Sequence, residues 1–105
     1  MITEISIESA YQAVIQSHSA ILFKHSTVCP TSAAAYREVR SFAEAHPDVQ
    51  VFIVKVIEHR DLSNRFAEYF HIRHESPQII VIKDGRAITN FSHHRITLDA
   101  IENSV

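Results

Sequence analysis

The fold is decided by the stretch Ala20-Ile21-Leu22-Phe23-Lys24-His25-Ser26-Thr27-Val28-Cys29-Pro30-Thr31-Ser32. Its first four residues form a short apolar run that is typical of a buried strand. A helical apolar pattern follows from about Thr31 to Ala45, with the proline suited to the first helical turn. A second apolar run from Val51 to Ile57 is rich in β-branched residues and predicts a central strand. Strand, helix and strand in this order form a crossover unit, so we expect the two strands to be parallel.

Apolar patterns on both sides of this unit predict the remaining elements. In chain order they are a short strand at Ile2 to Ile5, a helix carrying Ile7, Tyr11, Val14 and Ile15, a helix carrying Leu62, Phe66, Tyr69 and Phe70, a strand at Ile79 to Ile82, a returning strand at Ala87 to Phe91, and a last helix capped by Thr97. Asp84-Gly85 between two apolar runs is a strong hairpin signal. We predict an α/β fold, a single domain over residues 1–105 with a small mixed sheet and helices on both faces.

The composition excludes several classes of protein. The 105 residues include one cysteine and one glycine. A lone cysteine excludes an internal disulfide and any Cys-x-x-Cys motif, whether for zinc or for dithiol redox chemistry. A lone glycine excludes the P-loop and the Rossmann fingerprint, which need at least two. The net charge of −2 argues against a nucleic-acid partner.

The chain also lacks the sequence signals of export and of membrane insertion. Its start, Met1-Ile2-Thr3-Glu4, has neither a basic segment nor an apolar one, and the run from Val51 to Ile57 is interrupted by Lys55. We expect a cytoplasmic protein with no membrane partner. Eight histidines invite a metal interpretation, but histidines are mostly surface or hydrogen-bonded residues, and we expect no metal site.

Cys29 is the candidate reactive group. A lone cysteine is most often a small buried hydrophobe. Here it lies between a strand end and a helix start, where unpaired backbone N–H groups and the helix dipole favour the thiolate, which is the nucleophilic form. Ser32 stands three residues later, where a dithiol motif has its second cysteine, and a hydroxyl can donate a hydrogen bond to a thiolate. This pattern favours one-thiol exchange, in which a second thiol releases the product.

The chain resembles the thioredoxin superfamily over nearly its whole length. The element order matches, as does the stretch Ala67-Glu68-Tyr69-Phe70-His71-Ile72-Arg73-His74-Glu75-Ser76-Pro77 with the later Lys83-Asp84-Gly85. The resemblance implies a thioredoxin-like fold. It also implies a cis peptide bond between Ser76 and Pro77, facing Cys29.

Two motifs are similar to those of the monothiol bacilliredoxins, whose active site reads Thr-Cys-Pro-Ile-Ser and whose proline loop reads Glu-Ser-Pro-Gln. The second motif is complete at residues 75–78, and the first departs at Val28 and Thr31. The resemblance implies that Cys29 is the nucleophile that accepts bacillithiol from a bacillithiolated protein. The residues implied to support the thiolate are Thr27, Pro30, Thr31 and Ser32, and those implied to line the substrate groove are Ser76, Pro77 and Gln78.

The same resemblance implies the partners. They are S-bacillithiolated cytosolic proteins, bacillithiol as co-substrate with no bound cofactor, and a flavin disulfide reductase that completes the cycle. Two alternatives remain open. One is a redox-inactive binding module with the same fold and an inert Cys29. The other is a monothiol glutaredoxin-like protein that uses glutathione or an iron–sulfur cluster, although glutaredoxins bind glutathione partly through a Gly-Gly loop and Gly85 is already used in the hairpin.

Overall fold

The computed structural model describes residues 2–6 and 8–105. Met1 and Ile7, which belong to the start of the chain and to the first predicted helix, lie outside the described residues. The elements are β1 (Ile2–Ile5), α1 (Glu8–Ile15), β2 (Ser19–His25), α2 (Pro30–Ala45), β3 (Gln50–Lys55), α3 (Arg60–Phe70), β4 (Gln78–Lys83), β5 (Arg86–Ser92) and α4 (Leu98–Ser104). A short 3₁₀ turn, His93–Arg95, separates β5 from α4 and was not predicted.

The strands form one mixed sheet in the order β1-β3-β2-β4-β5. β3 runs parallel to both β1 and β2, which confirms the predicted crossover unit. β4 runs antiparallel to β2, and β5 returns beside β4 as the predicted hairpin. This arrangement confirms an α/β fold with a mixed sheet.

The central strands separate two cores because successive side chains point to opposite faces of a sheet. On one face, Ile21 and Phe23 of β2 pack with residues of α2 and α4, such as Val39 and Ile101. On the other face, Leu22 packs with residues of α1 and α3, including Tyr11, Val14, Leu62 and Phe66. Helices therefore cover both faces, as predicted, and the direction of any β2 side chain is fixed by its place in the alternation.

The prediction for β3 was too long by two residues. The strand ends at Lys55, and the chain then turns toward the start of α3 at Arg60. Val56 still donates its backbone N–H to the His25 carbonyl at 3.0 Å, but the Ile57 side chain is 50% exposed. An apolar residue in a surface turn cannot be distinguished from a strand residue by periodicity alone.

The only glycine, Gly85, is required by the hairpin turn. Asp84 and Gly85 both have positive φ, at 50° and 76°, as expected for the turn that suits the twist of a two-residue hairpin. The Gly85 N–H donates to the Ser17 carbonyl at 3.1 Å. A Cβ at position 85 would lie 2.6 Å from the backbone oxygen of Ile15. The turn therefore packs so closely against the end of α1 that no side chain fits.

We expect Gly85→Ala to lower the free energy of unfolding by at least about 1 kcal/mol, since the left-handed conformation costs roughly 1–2 kcal/mol for an L-residue and the Ile15 contact adds to it. Urea unfolding of the two proteins measures the change. The exposed neighbouring Arg86→Ala is the control, with an expected effect within about 0.5 kcal/mol. Equal effects of the two substitutions would contradict this account of the turn.

Candidate active site

Three chain segments leave the sheet at the same edge. β2 ends at His25, and its Lys24 pairs with Gln78, the first residue of β4. Gln78 also pairs with Ser92, the last residue of β5. Three segments therefore lie next to one another at the ends of adjacent strands. They are the loop from Ser26 to Cys29, the loop of residues 71–77 that ends at Pro77 (the proline loop), and the 3₁₀ turn after β5.

Cys29 is the N-cap residue of α2, as its position between strand and helix predicts. Its backbone is extended, with φ −107° and ψ 121°, and Pro30 occupies the first helical turn. The Ala33 N–H donates to the Cys29 carbonyl at 3.0 Å. The thiol is half-buried, and it is the free thiol of the chain. The first N–H groups of a helix have no partner within the helix and point toward its N-terminal end, which is where this thiol lies.

Ser32 does not have the hydrogen bond that the sequence suggested. The side chain is fully buried, and its Oγ accepts from the Ser26 N–H at 2.9 Å. The same oxygen lies 2.7 Å from Nδ1 of His25. Among the described residues no hydrogen bond joins it to the Cys29 sulfur. The hydroxyl instead connects the first turn of α2 to the loop that carries Cys29.

His25 is the second partner of the Ser32 hydroxyl, and only the structure shows which way its side chain points. It follows Phe23 by two positions, so strand alternation turns it toward α2. Its ring stacks on Phe23 at 5.2 Å between centroids and meets Tyr36 edge-on at 5.1 Å. Burial, and then the charge of Lys55, lower the pKa of His25 below its ordinary value. Nδ1 of His25 and the Ser26 N–H thus share the same buried hydroxyl as a hydrogen-bond partner.

Lys24 points to the opposite face of the sheet and is completely buried. Its Nζ lies 3.1 Å from Nδ1 of His74, in the loop before the proline, and Ser63 Oγ lies 3.5 Å from the same nitrogen. Burial lowers the pKa of Lys24 to about 8. Burial, and then the charge of Lys24, lower the pKa of His74. This pair therefore ties β2 to the proline loop underneath the candidate site.

Lys24 should make stability depend on pH. Its folded-state pKa of about 8 lies below its ordinary 10.5, so the unfolded chain binds more protons between these values, and the free energy of unfolding rises with pH there. We expect Lys24→Met to lack this rise, whose limiting slope is about 1.4 kcal/mol per pH unit. Urea unfolding from pH 7.5 to 10 measures it. The exposed Lys83→Met is the control and should keep the wild-type slope; identical slopes in all three proteins would contradict the assignment.

Hydrogen bonds from the Gln78 side chain and from the His93 backbone hold the proline loop. The Ser76–Pro77 peptide bond is cis, as the resemblance implies. Gln78 is fully buried, and its Nε2 donates to the Arg73 carbonyl at 3.1 Å. The His93 N–H donates to the Pro77 carbonyl at 3.0 Å. Of the three predicted groove residues, Ser76 and Pro77 lie at the sheet edge, whereas the Gln78 side chain lies beneath it and fixes the loop.

The surface around Cys29 is open on its other side. Thr27, Val28 and Pro30 are exposed, and Val28 has 77% of its side-chain surface exposed. A cavity of about 410 Å³ begins at Thr27 and follows the outer face of α2. It is lined by His25, Thr27, Ala33, Tyr36, Arg37 and Arg40. The departure from the family motif at Val28 therefore lies on the exposed surface beside Cys29, and Thr31 is half-buried in the first turn of α2.

The histidines do not gather into a metal site within residues 2–6 and 8–105. No group of three or more His, Cys, Asp or Glu side chains is close enough there to hold an ion. Within the same ranges, no helix has the length and apolar character needed to cross a bilayer.

Comparison with known proteins identifies the family. A family model described as "Monothiol bacilliredoxin BrxC" matches residues 3–101. The chain belongs to the monothiol bacilliredoxin family. Because the matched range contains Cys29, Ser32 and the proline loop, the bacilliredoxin motif and the geometry described above concern the same residues.

Solved structures confirm the thioredoxin fold of this bacilliredoxin. A structure described as a candidate oxidoreductase with a thioredoxin fold is 28% identical, with a TM-score of 0.91, over 98% of this chain and 92% of that one. Mitochondrial thioredoxin 3 from Saccharomyces cerevisiae is 18% identical, with a TM-score of 0.77, over 97% and 91%. Thioredoxin from Fasciola hepatica is 13% identical, with a TM-score of 0.77, over 96% and 93%. The last two likenesses concern the fold alone. The family and the fold together indicate thiol–disulfide redox activity.

Proposed function

We propose that this bacilliredoxin removes bacillithiol from S-bacillithiolated proteins, with Cys29 as the nucleophile. The observation that carries the proposal is the place of the thiol, at the N-cap of α2 and just after the strand next to the one that follows Pro77. A helix N-terminus favours the thiolate, which attacks disulfides. Exposure of the neighbouring residues Thr27 and Val28 leaves room for a protein-sized partner at this edge.

The exchange conserves atoms and electrons in each step. The Cys29 thiolate attacks the bacillithiol sulfur of the mixed disulfide, the bond between that sulfur and the substrate cysteine breaks, and the substrate leaves as a thiolate. Cys29 now carries bacillithiol as a mixed disulfide. A second bacillithiol thiolate attacks its sulfur, which releases bacillithiol disulfide and restores the Cys29 thiolate. A flavin disulfide reductase supplies the two electrons that reduce bacillithiol disulfide.

The second thiol must come from outside, because the chain has one cysteine. Ser32 occupies the position of a resolving cysteine, but its buried hydroxyl is bonded to His25 and Ser26. Its role in the proposal is to fix the loop that carries Cys29. Ser76 and Pro77 align the substrate backbone at the sheet edge, and Gln78 holds their loop from beneath. The substrates are cytosolic proteins, and no bound cofactor takes part.

We expect one bacillithiol to move onto the protein when it is mixed with a model protein that carries bacillithiol on a single cysteine. Intact-mass spectrometry should show one adduct on the bacilliredoxin, peptide mapping should place it on Cys29, and the model protein should lose the same mass. Added bacillithiol should then remove the adduct, because a second thiol releases it.

Two comparisons make this result specific. Cys29→Ser, which removes the attacking sulfur and little else, should take no adduct and leave the model protein bacillithiolated. The same model protein carrying glutathione tests the choice of small thiol. Transfer from the glutathione form alone would contradict the proposed substrate, and an unmodified wild-type protein with both donors would favour the redox-inactive binding module.

A further inference from the structure

Four basic side chains stand beside the proline loop. They are Arg73, His93, His94 and Arg95, and we call them the cationic rim. All four side chains are exposed. They form a basic cluster in a chain whose formal net charge is −2. None of them has a part in the exchange chemistry proposed above.

The backbone fixes this rim in relation to the proline loop. The His93 N–H donates to the Pro77 carbonyl at 3.0 Å, and His93 adopts a left-handed conformation with φ 56°. At the other end, the Arg73 carbonyl accepts from the buried Gln78 amide at 3.1 Å. Ser92 Oγ donates to Glu75 Oε2 at 2.6 Å, and this bond links the end of β5 to the proline loop. These hydrogen bonds thus hold the rim at the same end of the sheet as Pro77.

The Glu75 carboxylate interacts with several basic side chains of the rim. The hydrogen bond from Ser92, followed by the charges of His93, Arg73 and Arg95, holds the pKa of Glu75 below its ordinary value. One carboxylate faces the two arginines, so the cluster keeps an excess of positive charge with both histidines counted as neutral. A cavity of about 470 Å³ opens at this place, lined by Glu75 and residues 90–95.

The rim lies to one side of the strand that leads to Cys29. β5 is the second strand from β2 in the sheet, so the two strands are about 10 Å apart. Bacillithiol joins cysteine, glucosamine and malate in a row, and the malate carries two carboxylates at the end remote from the sulfur.

We propose that the cationic rim binds the malate carboxylates of bacillithiol while its sulfur reacts with Cys29. This inference rests on the proposed function and specifies which side of Cys29 the small thiol occupies. The protein half of the mixed disulfide then occupies the opposite side, toward Val28. Arginine and histidine supply the N–H donors and the charge that carboxylates require.

The test compares two symmetric disulfides as donors to Cys29, that of bacillithiol and that of cysteinyl-glucosamine, which lacks the malate. In each case the Cys29 thiolate attacks one sulfur, forms one adduct and releases one thiolate, and intact mass after rapid quenching gives the rate. We expect wild type to react faster with bacillithiol disulfide. The double variant Arg73→Gln/Arg95→Gln should lose about tenfold of the bacillithiol rate and none of the cysteinyl-glucosamine rate.

Two further variants separate binding from general charge and from misfolding. Glu75→Gln keeps an acceptor for Ser92 but removes the competing charge, so its bacillithiol rate should rise, and no loss of structure would produce a rise. Arg37→Gln removes an exposed cation from the cavity on the opposite side of Cys29 and should leave both rates unchanged. Added salt should reduce the wild-type preference, because exposed charges are screened.

The outcomes distinguish the two proposals. Equal wild-type rates with the two donors, or equal losses in Arg37→Gln and in the double variant, would overturn the rim as the carboxylate site and leave the exchange activity standing. A wild-type protein that forms no adduct with either donor would overturn the proposed function itself.

Discussion

The buried Ser32 hydroxyl is the constraint on which the site depends. It holds the Ser26 N–H and Nδ1 of His25 at hydrogen-bond distance, and so it joins the end of β2, the loop carrying Cys29 and the first turn of α2. Leaving two buried polar groups without a partner would cost about 1–3 kcal/mol each. The loop is therefore kept in one conformation, in which Cys29 caps the helix.

This arrangement gives the serine at the position of a second thiol a structural role. A resolving cysteine must reach the first sulfur, whereas Ser32 faces into the protein and is fully buried. The protein thus combines a helix-terminal thiol with a loop held by buried hydrogen bonds, and in the proposed function an external thiol releases the product. The proline loop is fixed in a comparable way, by the buried Gln78 amide and by the Lys24–His74 pair beneath it.

The sequence predicted the elements, the parallel crossover, the hairpin and the place of Cys29, since each depends on local pattern or on residue chemistry. It did not predict the partners of the buried polar groups. Lys24 and His25 are adjacent in sequence, and only the sheet register decides that one faces His74 and the other Ser32. The 3₁₀ turn at His93–Arg95 was also missed, because its position depends on a backbone bond to Pro77 rather than on apolar periodicity.

We propose that Cys29 is the reacting nucleophile and that its place at the helix terminus depends on the loop that Ser32 anchors. The most direct measurement is the second-order rate of alkylation by iodoacetamide at pH 7 in wild type, in Ser32→Ala and in free cysteine, since this reagent needs no substrate recognition. We expect wild-type Cys29 to react several-fold faster than free cysteine, and Ser32→Ala, still folded by circular dichroism, to lose most of this advantage. A wild-type rate no greater than that of free cysteine, or an unchanged rate in Ser32→Ala, would contradict it.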